Sequence, residues 1–104
     1  MYIQVQVTVP NQELGRKIAA QLLAENLAAC VQILGPIQSH YVWKGKEEQT
    51  QEFLLLIKTQ TAYYPKIEHL VLDLHPYEVP ELIYSALQGG LPSYFKWIDE
   101  QLEE

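Results

Sequence analysis

Residues 2–9 alternate strictly, with Ile3, Val5, Val7 and Val9 apolar against Tyr2, Gln4, Gln6 and Thr8. That two-residue period predicts a strand with one buried face, ended by Pro10 and Asn11. From Asn11, which suits an N-cap, Leu14, Ile18 and Leu22 recur at helical spacing with Leu23 beside them. Arg16, Lys17, Gln21 and Glu25 fall opposite, so an amphipathic helix is predicted to about Asn26. Residues 28–43 have an extended pattern, with Val31, Ile33, Ile37, Tyr41 and Trp43 on one side and Gln32, Gln38 and His40 on the other. Gly35-Pro36 interrupts it and predicts a bulge or bend in one long strand. Lys44-Gly45-Lys46 has turn chemistry. Glu52–Thr59 predicts the returning strand, and its run Phe53-Leu54-Leu55-Leu56-Ile57 does not alternate, the mark of a strand covered on both faces. The helical period returns over 61–74 through Tyr63, Ile67, Leu70, Val71 and Leu74, with Pro65 in the first turns. Leu82–Leu87 predicts a short fourth strand, Gln88-Gly89-Gly90 a loop, and Tyr94, Trp97, Ile98 and Gln101 a terminal helix.

The predicted order is βαββαβ followed by a helix. It specifies an α+β fold of the ferredoxin-like kind: an antiparallel sheet with two helices on one face, a long hairpin between the second and third strands, and an added C-terminal helix. The chain has 104 residues, which fits a single domain over 1–104. A core of that size can scarcely cover Tyr41 and Trp43 near the hairpin tip, which marks them as candidate oligomer contacts. The alternative is that both rings fold back onto their own sheet.

Charge narrows the classes of partner. Thirteen acidic residues against seven basic ones leave a formal charge of −6, which opposes binding to phosphate backbones or anionic membrane surfaces. No apolar run approaches the roughly 18–20 residues of a membrane span. Met1 leads directly into the first strand without an export leader, and the lone Cys30 cannot form an intramolecular disulfide, so a cytoplasmic location is expected.

Candidate chemistry concentrates in His75-Pro76-Tyr77-Glu78-Val79-Pro80-Glu81, where an imidazole, a phenol and carboxylates sit in a stiff connector held by two prolines. His75 suits either a metal site with its acidic neighbours or a structural bond to helix-terminal carbonyls. Cys30 is the one thiol, a possible ligand or a buried inert side chain. His40 and His69 are expected on the surface, and no CxxC, HxH or HExxH spacing occurs. Lys58 ends the apolar strand, where a snorkelling lysine is ordinary. The sharper expectation pairs Lys58 with Glu52 or Glu78, forming an intersubunit cleft with Tyr77 and His75. No nucleophile has an adjacent base and orienting group, so an enzyme is the weakest of the functional classes.

Five blocks carry a family resemblance: Asn26-Leu27-Ala28-Ala29-Cys30-Val31, Tyr41-Val42-Trp43-Lys44-Gly45-Lys46, Leu54-Leu55-Leu56-Ile57-Lys58-Thr59, His75 through Leu82, and Tyr94-Phe95-Lys96-Trp97-Ile98. In order and spacing the chain resembles the CutA divalent-cation-tolerance family. The resemblance implies a homotrimer of ferredoxin-like subunits similar to PII signalling proteins, and a non-catalytic role in tolerance to copper and other divalent cations, with no cofactor required. It also implies a choice between direct metal binding and a PII-like sensor or adaptor working through its subunit clefts. Ser85-Ala86-Leu87-Gln88 departs from the Ala-Leu-Pro-Ile-like run of many members. The copper site ascribed to some members matches Val7, Leu74 and His75 here, so only His75 is retained.

Overall fold

The strictly alternating N-terminal segment forms the interior of the sheet. The computed structural model describes residues 1–102 as β1 (Tyr2–Val9), α1 (Gln12–Ala24), β2 (Cys30–Trp43), β3 (Lys46–Gln60), α2 (Tyr64–Leu74), β4 (Leu82–Ala86) and α3 (Pro92–Leu102), with a 3-10 turn over Thr61–Tyr63. Strand order is β2-β3-β1-β4 with every neighbouring pair antiparallel, the ferredoxin-like arrangement. No helix among the described residues is long and apolar enough to cross a membrane.

Ile3, Val5, Val7 and Val9 of β1 are wholly buried with Leu55 and Ile57 of β3, Ile18 and Leu22 of α1, and Ile67 and Val71 of α2. Each such side chain contributes about 1.5–3 kcal/mol by leaving water. Asn11 caps α1 by accepting the Leu14 N–H at 2.8 Å. Gly15 lets that helix sit close to the sheet, since a Cβ there would lie 3.2 Å from Leu55 Cδ2. A smaller cluster holds α3: Ile98 and Leu102 pack with Ala29, and Tyr2 stacks on Phe95 at 4.4 Å. The Tyr2 hydroxyl donates to Asp99 Oδ2 at 2.7 Å, and the Gln60 amide donates to Asp99 Oδ1.

Three features differ from the sequence expectation. β3 begins at Lys46 rather than Glu52, with Trp43 paired to Lys46 and Gln38 to Gln51. The segment Lys46–Gln51 is polar and mostly exposed, so no buried face imposed an apolar period on it. Leu23 does not join the α1 stripe but is 45% exposed. In the run 53–57, Leu55 and Ile57 meet the helices while Leu54 and Leu56 are only half-buried, so within one chain a single face of this strand is covered.

The hairpin geometry follows its glycines. Lys44 and Gly45 both have positive φ, 52° and 78°, as a two-residue type I′ turn requires. The register shifts between Leu34 and Ile37, placing the expected bulge at Gly35-Pro36. Gly35 has φ +148°, and a Cβ there would lie 2.6 Å from Phe53 Cδ2, so any other residue strains the backbone and displaces that ring.

Candidate functional site

Where α2 stops, the proline-flanked connector turns back along the end of β1. His75 caps the helix through its N–H to the Val71 carbonyl at 2.8 Å, with ψ 131° turning the chain into extended form. Its ring is buried, with Nε2 2.7 Å from the Thr8 carbonyl and Nδ1 accepting the Tyr77 N–H at 3.3 Å. A carbonyl only accepts, so Nε2 carries the proton and the imidazole has both nitrogens engaged. The Tyr77 ring lies 4.7 Å from that of His75, and its hydroxyl donates to Glu52 Oε2 at 3.0 Å.

Glu52 is 5% exposed, although it follows the polar outer half of the hairpin. Burial, and then the hydrogen bond and charge of Glu52, push the Tyr77 phenol up to about 12, so it donates throughout the neutral range. Between the connector and the outer half of β2 opens a cleft of about 710 Å³. Glu52 and Tyr77 line it together with Tyr41 and Trp43, and the exposed Glu78 and Glu81 line it from the connector. A 2.8 Å bond between the Tyr41 hydroxyl and Thr50 Oγ1 orients the first ring, and Lys44 Nζ lies 5.6 Å from the centre of the second.

The structure therefore brings Tyr77, Glu52, Glu78, Tyr41 and Trp43 around one space, which His40 also lines, while His75 lies buried behind Tyr77 and does not line it. Lys58 is not part of it. Its amine donates to Gln32 Oε1 at 2.7 Å and pairs with neither Glu52 nor Glu78. Lys58 and Glu52 lie six positions apart on the same extended strand, roughly 20 Å at the usual rise, which rules out that pair within one chain. Cys30 is half-buried opposite Lys58 at the start of β2, where, after burial itself, it helps raise the Tyr94 phenol. Along the sheet it is four positions, roughly 13 Å, from the level of Thr8 and His75. His75 and Cys30 therefore do not converge within a chain, and among the described residues no three His, Cys, Asp or Glu side chains are placed to hold a metal ion.

His40 and His69 are exposed as expected. His40 Nε2 lies 3.2 Å from Gln38 Oε1, and His69 Nε2 lies 3.5 Å from Asp73. Sequence reasoning missed Thr8, whose carbonyl fixes the imidazole. Its alternation assigns it to the polar face, yet it is buried beneath the connector, and no local signal announces a contact across 67 residues.

The whole chain has close relatives. Residues 3–101 match the family model described as CutA1 divalent ion tolerance protein. The chain is 44% identical over 96 residues to the "Divalent-cation tolerance protein CutA" of Thermus thermophilus, covering 92% of this chain and 93% of that protein. It is 45% identical over 97 residues to the chloroplastic "Protein CutA" of Arabidopsis thaliana, covering 92% of this chain but only 53% of the longer plant protein. The solved structure of the Cut A1 divalent cation tolerance protein from Thermus thermophilus superposes with a TM-score of 0.94 at 42% identity, covering 97% of this chain and 98% of that one. From its first strand to its last helix, the chain belongs to the CutA1 family of divalent ion tolerance proteins.

Proposed function

We propose that this chain is a non-catalytic protein of divalent-cation tolerance, working in the cytoplasm as a homotrimer that binds copper or another divalent cation and needs no cofactor. The observation that carries this reading is end-to-end agreement, in sequence and backbone, with proteins named for that role. Assembly is supported by what one chain leaves uncovered. Leu34, Tyr41 and Trp43 are exposed, and Leu54 and Leu56 are only half-buried. A second subunit would remove that apolar surface from water.

Metal binding in this reading uses donors contributed by more than one subunit. Cys30 is remote from His75 in its own chain, and His75 ligates through Nδ1 only by giving up the 3.3 Å bond from the Tyr77 N–H. The test is calorimetric titration of the metal-free protein with Cu²⁺ and Zn²⁺, with molar mass measured by sedimentation in the same buffer. The expected result is a trimer with a defined metal stoichiometry, weakened by His75→Ala or Cys30→Ser. A folded trimer that binds neither metal overturns direct binding, and a monomer at micromolar concentration overturns the assembly.

A second reading, a PII-like sensor or adaptor, is favoured by one observation. The cleft of about 710 Å³ has the size of a small-molecule site.

A further inference from the structure

β3 carries two opposite charges on one face, and neither is matched in its own chain. Leu55 and Ile57 meet the helices, so Glu52, Leu54, Leu56 and Lys58 alternate with them onto the other face of the sheet. Lys58 is half-buried between its strand partners Gln4 and Cys30, and its amine donates to the uncharged Gln32 oxygen. Glu52 is 5% exposed, and among the described residues only its Oε2 has a hydrogen-bond partner, the Tyr77 hydroxyl. No fully buried side-chain oxygen lacks a partner among these residues, so Oε1 opens on the cleft. The one ion pair among the described residues, His69–Asp73, involves neither.

Assembly withdraws both groups from water. The second subunit covers Leu54 and Leu56, which stand between the two charges on the strand, and Tyr41 and Trp43, which wall the cleft. A charge taken from water without a partner is costly, and a carboxylate oxygen is satisfied only by a donor. His40 lines the same cleft, but its Nε2 lies 3.2 Å from Gln38 Oε1. It also pairs with Gln49, three positions and roughly 10 Å along the strand from Glu52. Of the seven basic residues, Arg16 and Lys17 are exposed on α1, Lys66 on α2 and Lys96 on α3, while Lys44 and Lys46 stand at the hairpin tip. Lys58 alone lies on the sheet beside the leucines that assembly covers.

We propose that Lys58 of one subunit donates to Glu52 Oε1 of the next, so that each contact in the assembly encloses one lysine–glutamate pair whose second carboxyl oxygen is held by Tyr77. The two halves of the pair lie on different parts of the chain's surface, so the contact runs head to tail. Each subunit then offers Lys58 to one neighbour and Glu52 to the other, and contacts of that kind close into rings such as a trimer. The inference rests on the assembly proposed above, for which it names a contact, and it does not depend on metal binding.

The test is sedimentation of the metal-free full chain over a dilution series, extended into graded urea where dilution leaves the parent assembled. Lys58→Met removes the charge and, in a lone chain, only the bond to Gln32, so circular dichroism should show it folded. It is expected to raise the concentration of half-dissociation on the order of tenfold or more, because a hydrogen bond to a charged group is lost and Glu52 is covered without a donor. Glu52→Gln keeps an oxygen for Tyr77 and should weaken assembly by a similar factor, and the double variant should fall well short of the product of the two effects. Where Glu52→Gln fails to fold, carbodiimide coupling of the parent, which joins amines to carboxyls in contact, takes its place, with an interchain Lys58–Glu52 amide expected in peptide mass maps. Lys58→Met assembling like the parent, effects that multiply in the double variant, or coupling that leaves Lys58 free or joins it to another carboxyl overturns the pair and leaves the assembly standing. A parent that sediments as a monomer at micromolar concentration overturns both.

Discussion

Replacing Tyr77 with Phe removes one oxygen and leaves the packing in place. The ring still meets His75 at 4.7 Å, and the bond from the Tyr77 N–H to His75 Nδ1 is made by backbone. What is lost is the 3.0 Å donor to Glu52, a side chain 5% exposed with no other hydrogen bond among the described residues. A hydrogen bond to a charged group contributes about 1.5–3 kcal/mol, so a loss of about 2 kcal/mol is expected at neutral pH. The titration of Tyr77 provides an independent check. Its phenol is raised from 10.0 to about 12 by burial and then by Glu52. A raised folded-state value favours the protonated form, so this contribution is complete below pH 10 and is lost as pH rises from 10 to 12. Discounted for the partial exposure of the ring, the shift corresponds to about 1–2 kcal/mol, in line with the first figure. Thermal melts at matched protomer concentration should show Tyr77→Phe lower by about 10 °C at pH 7. Between pH 10 and 12 the variant should lose less further stability than the parent. Some slope remains, because Tyr64 is also raised to about 12, by burial and then Glu68. A loss under about 0.5 kcal/mol, the usual range of a surface substitution, or identical alkaline slopes would refute the reasoning.

Thr59 is wholly buried and donates to the Leu27 carbonyl at 2.7 Å, so the near-isosteric Thr59→Val should cost about 1–3 kcal/mol in urea denaturation; a neutral result would mean the carbonyl finds another donor. Gly35→Ala combines φ +148° with a 2.6 Å approach to Phe53, whereas Gly45→Ala has φ +78° and nothing within 4 Å. The first should cost about 1–3 kcal/mol from backbone alone plus the clash, the second about 1 kcal/mol, and equal melting temperatures would contradict the packing at the bulge. Asn11→Ala should cost about 1 kcal/mol by removing the cap on Leu14, and Asn11→Asp should restore most of it; no difference between the two would place the cap's value elsewhere.

Segments that bury one face were legible in the sequence, because burial imposes a period. Val5 and Val7 in β1, Ile18 and Leu22 in α1, and Ile67 and Val71 in α2 are fully buried at the predicted spacing. Lys46–Gln51 left no such trace, being held by strand pairing without burial. The prolines drew attention to 75–81, and of those residues Tyr77 and Glu78 line the cleft with Glu52 while His75 is buried behind Tyr77. The partner of Glu52 was not legible. Opposite charge suggested Lys58, but two residues on one extended strand cannot fold back on each other, and the phenol 25 residues away in sequence takes that place. Backbone acceptors such as the Thr8 carbonyl are invisible in one dimension, since every residue carries one.

The outer hairpin stretches the molecule to 44 Å along one axis against 26 and 22 Å along the others. Most of the side chains on this arm, from Gln38 to Gln51, are exposed, so its cross-strand bonds stand with little apolar cover. A two-stranded ribbon of that kind is marginally stable in water and opens at a free-energy cost far below that of the β1 core. Amide exchange along the arm consequently works as a gauge of assembly: rapid in a lone subunit, slow wherever another surface shields it, while β1 amides report the global fold in either case.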